Sequence, residues 1–179
     1  MTAQTETLRD GSRVVIRQLE PGDGALYPDF LADVTRDDLR LRFFAPIAEL
    51  SEALIHKLTH YDPATAMAFI ALSVPDGRML GVVRLHDDAN SDGAAKNAEF
   101  AVLLRSSLKG KGLGWLLMKR MIAYAREHGV ATVHGQVLAE NTTMLAMCEE
   151  LGFHIADDAS ERGMKYVTLK PGAVAAEPA

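Results

Sequence analysis

Lys109-Gly110-Lys111-Gly112-Leu113-Gly114 lies between an apolar run and a stretch with helical periodicity. Three glycines at alternate positions leave backbone N–H groups open to close approach, because no Cβ stands in the way. A helix beginning here presents unpaired N–H donors and a partial positive charge at its start. The combination suits a phosphate or pyrophosphate, with Lys109 and Lys111 adding charge. Two familiar phosphate loops do not fit. A nucleoside-triphosphatase loop places Ser or Thr after its Gly-Lys pair to hold magnesium, and Lys111 is followed by Gly112. A dinucleotide fingerprint needs its third glycine where Trp115 stands, and an acid about 20 residues on at the end of a second strand. Glu127 falls near that distance but inside the helix.

Downstream of the loop, Leu113, Leu116, Leu117, Met121, Tyr124 and Ala125 share one helical face, and Gly129 stops the helix. Residues 132–138 read as a strand, 141–150 as a helix ended by Gly152, and 154–156 as a short strand. Residues 163–169 are expected to close the sheet. Upstream, 98–104 is a nearly continuous apolar strand and hence central, preceded by a polar loop over 87–97. Residues 67–74 and 79–85 form strands joined by the turn Pro75-Asp76-Gly77-Arg78. Val14-Val15-Ile16 reads as a strand, Pro21-Gly22-Asp23-Gly24 as a break, and 25–35 as a helix. Residues 36–41 are densely charged, and Ser51 caps another short helix. One mixed α/β (α+β) domain results: 1–12 as an N-terminal extension, 13–170 as the domain, and 171–179 as a mobile tail with nothing to pack.

The loop pattern that survives is Gln/Arg-x-x-Gly-x-Gly/Ala, with Lys109, Gly112 and Gly114 in the three places. It resembles the acyl-CoA pyrophosphate loop of the GNAT superfamily of N-acetyltransferases. The likeness extends from about Val14 to Leu169. Glu140-Asn141-Thr142-Thr143-Met144-Leu145, leading into Leu151-Gly152-Phe153, is similar to the family's second CoA-contacting helix and its exit. Ala98-Glu99-Phe100-Ala101-Val102, with Leu41-Arg42-Phe43-Phe44 and Asp62, resembles one branch, the bacterial protein lysine acetyltransferases. The resemblance implies a seven-stranded, mostly antiparallel sheet, splayed at its centre to admit CoA, with about four helices. It also implies that Lys109, Gly110, Lys111, Gly112, Leu113 and Gly114 hold the pyrophosphate of acetyl-CoA. Backbone groups of Val102, Leu103 and Leu104 would pair with the pantetheine arm, a nearby N–H polarising the thioester carbonyl. Asn141 either caps its helix or hydrogen-bonds that arm.

Acyl transfer to an amine meets a protonation problem. A lysine-like amine, with a pKa of about 10.4, is mostly ammonium at pH 7. Neutralising it costs roughly 4–5 kcal/mol at about 1.36 kcal/mol per pKa unit. A general base near the incoming amine relieves this. Glu99 is the candidate, the single charged residue in the apolar run, where partial desolvation would raise a carboxylate's pKa; in the branch it resembles, the glutamate of Ala-Glu-Phe is the base. The bland alternative is a strand residue facing solvent. Asp88-Ala89-Asn90-Ser91-Asp92-Gly93 followed by Glu99 also satisfies a calcium-loop pattern. Such a loop needs flanking helices, and strands flank this one, so calcium is not expected. Cys148 stands where many GNAT enzymes place a thiolate-protonating tyrosine. A CoA thiolate leaves well without help, and a lone cysteine on an apolar helix face is more often core. The six histidines show no metal-ligand spacing.

Composition bounds the partners. At 179 residues and 48% hydrophobic the chain suits one globular domain. Its 24 Asp and Glu against 19 Lys and Arg give a net charge of −5, which argues against nucleic acid and is compatible with a cationic acceptor. One cysteine excludes a disulfide framework. Neither a signal peptide nor a membrane-length apolar run is visible, so the cytoplasm is expected. The reading is an acetyl-CoA-dependent N-acetyltransferase, without metal, whose preferred acceptor is a protein lysine, for instance on an acyl-CoA synthetase. A homodimer is compatible with it. The alternatives are an enzyme for a small amine (a polyamine, aminoglycoside or amino acid) and a non-catalytic CoA-binding regulatory module.

Overall fold

The computed structural model describes residues 3–45, 50–88 and 96–173. In chain order the strands are β1 (Gln4–Thr7), β2 (Arg13–Gln18), β3 (Ala66–Ser73), β4 (Met79–Asp87), β5 (Asn97–Leu104), β6 (Thr132–Leu138), β7 (His154–Asp157) and β8 (Met164–Leu169). The α-helices are α1 (Tyr27–Ala32), α2 (Arg36–Phe43), α3 (Glu52–Thr59), α4 (Leu113–Glu127) and α5 (Thr142–Glu150). The eight strands hydrogen-bond in the order β1-β2-β3-β4-β5-β6-β8-β7. The additional strand is β1, within the stretch expected to be an extension. Its Gln-Thr-Glu-Thr sequence has no buried alternation, so hydrophobic patterning could not reveal it. It pairs antiparallel with β2 from Gln4↔Ile16 to Thr7↔Arg13.

The chain divides into two compact units. The first comprises Met1–Arg84 and Ala101–Met118. Its core gathers Tyr27, Phe30 and Leu39 from the helices against Ala68, Ile70, Met79 and Leu103 from the strands. Each large apolar side chain so buried stabilises the fold by about 1.5–3 kcal/mol. The predicted helix over 25–35 is instead a 3-10 turn, Pro21–Leu26, followed by α1. The charged stretch beyond it is itself a helix, α2. The Thr35 hydroxyl accepts the Asp38 N–H at 3.2 Å, acids fill the first turn and arginines the last. That charge order suits the helix dipole, and Leu39 supplies the buried face.

The second unit comprises Leu85–Phe100 and Lys119–Ala179. Here β6 pairs antiparallel with β8 over six residues, from Val133↔Leu169 to Leu138↔Met164, and β8 pairs in turn with β7. Residues 163–169 therefore do not close the sheet. The short β7 forms the edge, and β8, long enough for a full ladder, is inserted beside β6. Between β5 and β6 the parallel ladder covers only Asn97–Glu99 with Thr132–His134 and then stops, although both strands run on. Gly135 is required at this point: a Cβ on it would stand 2.8 Å from the Phe100 ring. The Phe100 ring also meets Phe153 at 5.3 Å between centroids. Residues 89–95 of the calcium-like pattern and 174–179 of the expected tail lie outside the described residues.

Candidate active site

The glycine loop is shaped by backbone geometry. Gly110 and Gly112 have φ of +79° and +90°, a region that L side chains rarely enter. Gly112 offers its carbonyl to the Leu116 N–H at 3.1 Å and so starts α4, which runs 15 residues. Among the described residues the N–H groups of Gly110, Gly112, Leu113 and Gly114 donate to no protein acceptor. The Lys111 N–H does, to the Leu108 carbonyl at 3.3 Å. Four open donors at the positive end of a helix are an arrangement that suits an anion, and it is made of main chain alone.

The lysines of the loop are already engaged. Lys109 forms an ion pair with Asp38, whose other carboxylate oxygen accepts from the Ser106 hydroxyl. Ser106 N–H donates to the Asp33 carbonyl at 2.7 Å, and Thr35 N–H to the Ser106 hydroxyl at 2.9 Å. The turn before the loop is thus stapled to the α1–α2 junction. On the other side the β1–β2 hairpin holds the loop. Arg9 N–H donates to the Lys111 carbonyl at 3.2 Å, and Lys111 pairs with Asp10 at 3.0 Å. Ser12 and Lys111 hold the Asp10 carboxyl well below its usual range. The Arg9 side chain lies over Gly112, where a Cβ would meet its Cγ and Nε at 3.6 Å. Its guanidinium has no carboxylate partner among the described residues. No motif spacing signals Arg9, because a hairpin distant in sequence delivers it.

Glu99 stands on β5 with buried Ala98 and Phe100 on either side, and is itself exposed. The partial desolvation expected from its apolar neighbours is not found. Alternate strand positions face opposite sides, and Glu99 takes the open one. Across the ladder it is the Cα partner of His134, which is the partner of Thr168, which faces His154. The His134 Nε2 lies 2.9 and 3.0 Å from the two Asp88 carboxylate oxygens, and its ring centroid 5.5 Å from that of Tyr166. Partial burial and the negative charges of Asp88, Glu99 and Asp158 push the Tyr166 hydroxyl above its ordinary value. Asp158 accepts from Gln136 at 2.6 Å, and hydrogen bonds from Ser160, then Gln136, pull its carboxyl down to about 2. The histidines yield nothing as a spacing pattern, yet the fold joins one of them to an aspartate.

The remaining sequence candidates divide. Leu103 is buried, and Val102 and Leu104 are half-buried, along β5 beyond the last ladder pair with β6. The Asn141 oxygen accepts the Met144 N–H at 3.2 Å, which caps α5, while its amide NH2 has no partner among the described residues. Cys148 is fully buried, and burial pushes its thiol up to about 12, so it packs as a small apolar residue. Among the described residues no three His, Cys, Asp or Glu group to hold a metal ion, and no helix is long and apolar enough to cross a membrane.

Residues 13–154 match the family described as acetyltransferase (GNAT) domain. An acetyltransferase of Pseudomonas aeruginosa is 33% identical over 150 residues, which cover 83% of this chain and 78% of that one. The L-methionine sulfoximine/L-methionine sulfone acetyltransferase of the same species is 25% identical over 148 residues, 82% of this chain and 81% of that one. Among solved structures, the GNAT domain of S. lividans PAT matches with a TM-score of 0.84 at 26% identity, over 94% of this chain and 96% of that chain.

Proposed function

The chain belongs to the GNAT acetyltransferase family, and from that premise we propose that it moves the acetyl group of acetyl-CoA onto a lysine ε-amine of a folded protein, with Glu99 as general base. The open N–H groups of Gly110, Gly112, Leu113 and Gly114 bind the pyrophosphate. Arg9, without a carboxylate partner among the described residues, supplies a nearby cation, and Lys109 and Lys111 act mainly by fixing the loop through Asp38 and Asp10. The backbone beyond Glu99, at Val102, Leu103 and Leu104, pairs with the pantetheine arm, and the Asn141 amide NH2 donates to it. The Glu99 carboxylate takes a proton from the acceptor nitrogen as that nitrogen attacks the thioester carbonyl.

The observation that carries the choice of acceptor is the exposure of the Glu99 face. Glu99 is exposed, Tyr166 is 38% exposed, and the Asp88 side chain is 36% exposed. An open, acidic, partly aromatic surface suits the ammonium of a side chain that protrudes from another protein, an acyl-CoA synthetase being the first candidate. A second reading is favoured by the relative named for L-methionine sulfoximine and L-methionine sulfone: a free amino acid or other small amine as acceptor. A competition assay with acetyl-CoA, a folded acyl-CoA synthetase and an equal concentration of small amines separates the two. Faster acetylation of the protein lysines supports the proposal; preference for the small amines replaces it with the second reading.

A further inference from the structure

Glu99 is not the sole proton acceptor that its face of the sheet presents. His134 is its cross-strand partner in the parallel ladder, so both side chains project from the same face of adjacent strands, about 4.8 Å apart at the backbone. The His134 side chain is 16% exposed and is held by Asp88 through Nε2. An ionised carboxylate only accepts hydrogen bonds, so Nε2 must carry the hydrogen, and the lone pair of the neutral ring is placed on Nδ1. Among the described residues Nδ1 has no partner. Asp88 is anchored in turn, its N–H donating to the Asn97 carbonyl at 2.9 Å, two residues before Glu99. A carboxylate that fixes the tautomer of a histidine, leaving the other nitrogen as acceptor, is the arrangement that prepares a general base.

We propose that His134, oriented by Asp88, is a second catalytic proton acceptor for acyl transfer. This rests on the reading of Glu99 as the base of an N-acetyltransferase. The chemistry supplies the need for two. An acceptor arriving as R–NH3+ must lose one proton to expose a lone pair, and a second as that lone pair attacks and its C–N bond forms. The Nδ1 of His134 takes the first and releases it to solvent. Glu99 takes the second, which ends on the CoA sulfur as the C–S bond breaks. The products are the amide, the thiol and one released proton. Five ionisable groups share this environment among the described residues: Asp88 just beyond β4, Glu99 from β5, Tyr166 from β8, Asp158 just beyond β7 and, further along the same row, His154 from β7.

The test uses the whole chain with acetyl-CoA and, in parallel, a folded acyl-CoA synthetase and spermidine as acceptors. With whichever acceptor is the better, His134→Gln is expected to lower kcat by about 10- to 100-fold, below the largest general-base effects because Glu99 remains. The KM for acetyl-CoA stays unchanged, and one ionisation disappears from the pH profile of kcat. Asp88→Asn, which permits either tautomer, gives an intermediate loss. Added imidazole restores turnover several-fold to His134→Ala and does nothing for Glu99→Gln. A His134→Gln rate within twofold of wild type overturns the proposal. So does a loss that imidazole cannot restore and that leaves the pH profile unaltered, because that marks a structural role. Both outcomes leave the acetyltransferase reading intact. A wild-type protein that acetylates neither acceptor overturns that reading and this proposal with it.

Discussion

The glycine loop and the Glu99 face handle charge in opposite ways. In the loop both lysines are neutralised by aspartates, Lys109 by Asp38 and Lys111 by Asp10, and the open positive character comes from main-chain N–H groups. On the Glu99 face the backbone is closed into strands, and the open groups are side chains: Glu99 itself, the His134 Nδ1 and the Tyr166 ring. Binding built on backbone resists loss of any one side chain but is sensitive to backbone shape. Chemistry built on side chains is lost with a single functional group. Affinity and turnover should therefore separate cleanly by mutation.

The largest expected effect lies on the Glu99 face. Glu99→Gln keeps shape but cannot accept a proton, so steady-state kcat should fall by about 10²–10⁴-fold. A mutant with near-full rate at neutral pH would make Glu99 a bystander and remove one side of the contrast. Next comes the loop. Gly112→Asp forces a φ of +90° on a side chain and sets a carboxylate beside Arg9 among the loop's open N–H groups. A loop that changes shape to relieve about 1–3 kcal/mol of backbone strain must regain it to bind, and with the added like-charge repulsion acetyl-CoA binding should weaken by roughly 10- to 100-fold. Isothermal titration on the folded mutant reads this, and unchanged affinity would mean that the loop is not the anion site.

What the sequence reveals follows the same division. The glycine spacing, the amphipathic α4 and the Ala98-Glu99-Phe100 strand are local patterns, and each lies where its pattern predicts. What escapes are contacts between distant segments. Lys109 meets Asp38 across 71 residues and His134 meets Asp88 across 46, and no spacing rule encodes either pair. β1 escapes because a polar edge strand lacks apolar alternation, and with it goes Arg9. α2 is obscured because its charges stand out more than its buried Leu39. The exposure of Glu99 is a matter of strand phase, which an apolar run that is nearly continuous does not reveal.

Smaller effects sharpen the account of the loop. Arg9→Ala should weaken acetyl-CoA binding by about two- to fivefold with kcat unchanged, the scale of an exposed charge contact, and the loss should shrink as salt is added. Lys109→Ala should change affinity less than Arg9→Ala, because its ammonium serves Asp38. Burial pushes the Asp38 carboxyl up, but hydrogen bonds from Lys109, Ser106 and Thr35 outweigh it and hold it below the ordinary 3.8. Its stabilisation is full above that value and is lost as pH falls through the lower folded-state value. Removing Lys109 raises the folded-state value, so the midpoint of acid unfolding, followed by circular dichroism, should move to higher pH. A wild-type midpoint in the mutant would deny Lys109 its structural role.

The separation of binding from chemistry is tested most directly by the affinity of the Glu99→Gln protein for acetyl-CoA, measured by titration calorimetry alongside wild type. A Kd within about twofold of wild type, roughly 0.4 kcal/mol, in a protein whose turnover has collapsed is the predicted result. A Kd weakened tenfold or more would contradict it, because Glu99 would then contribute to holding the cofactor and the proposed division of binding from chemistry would fail.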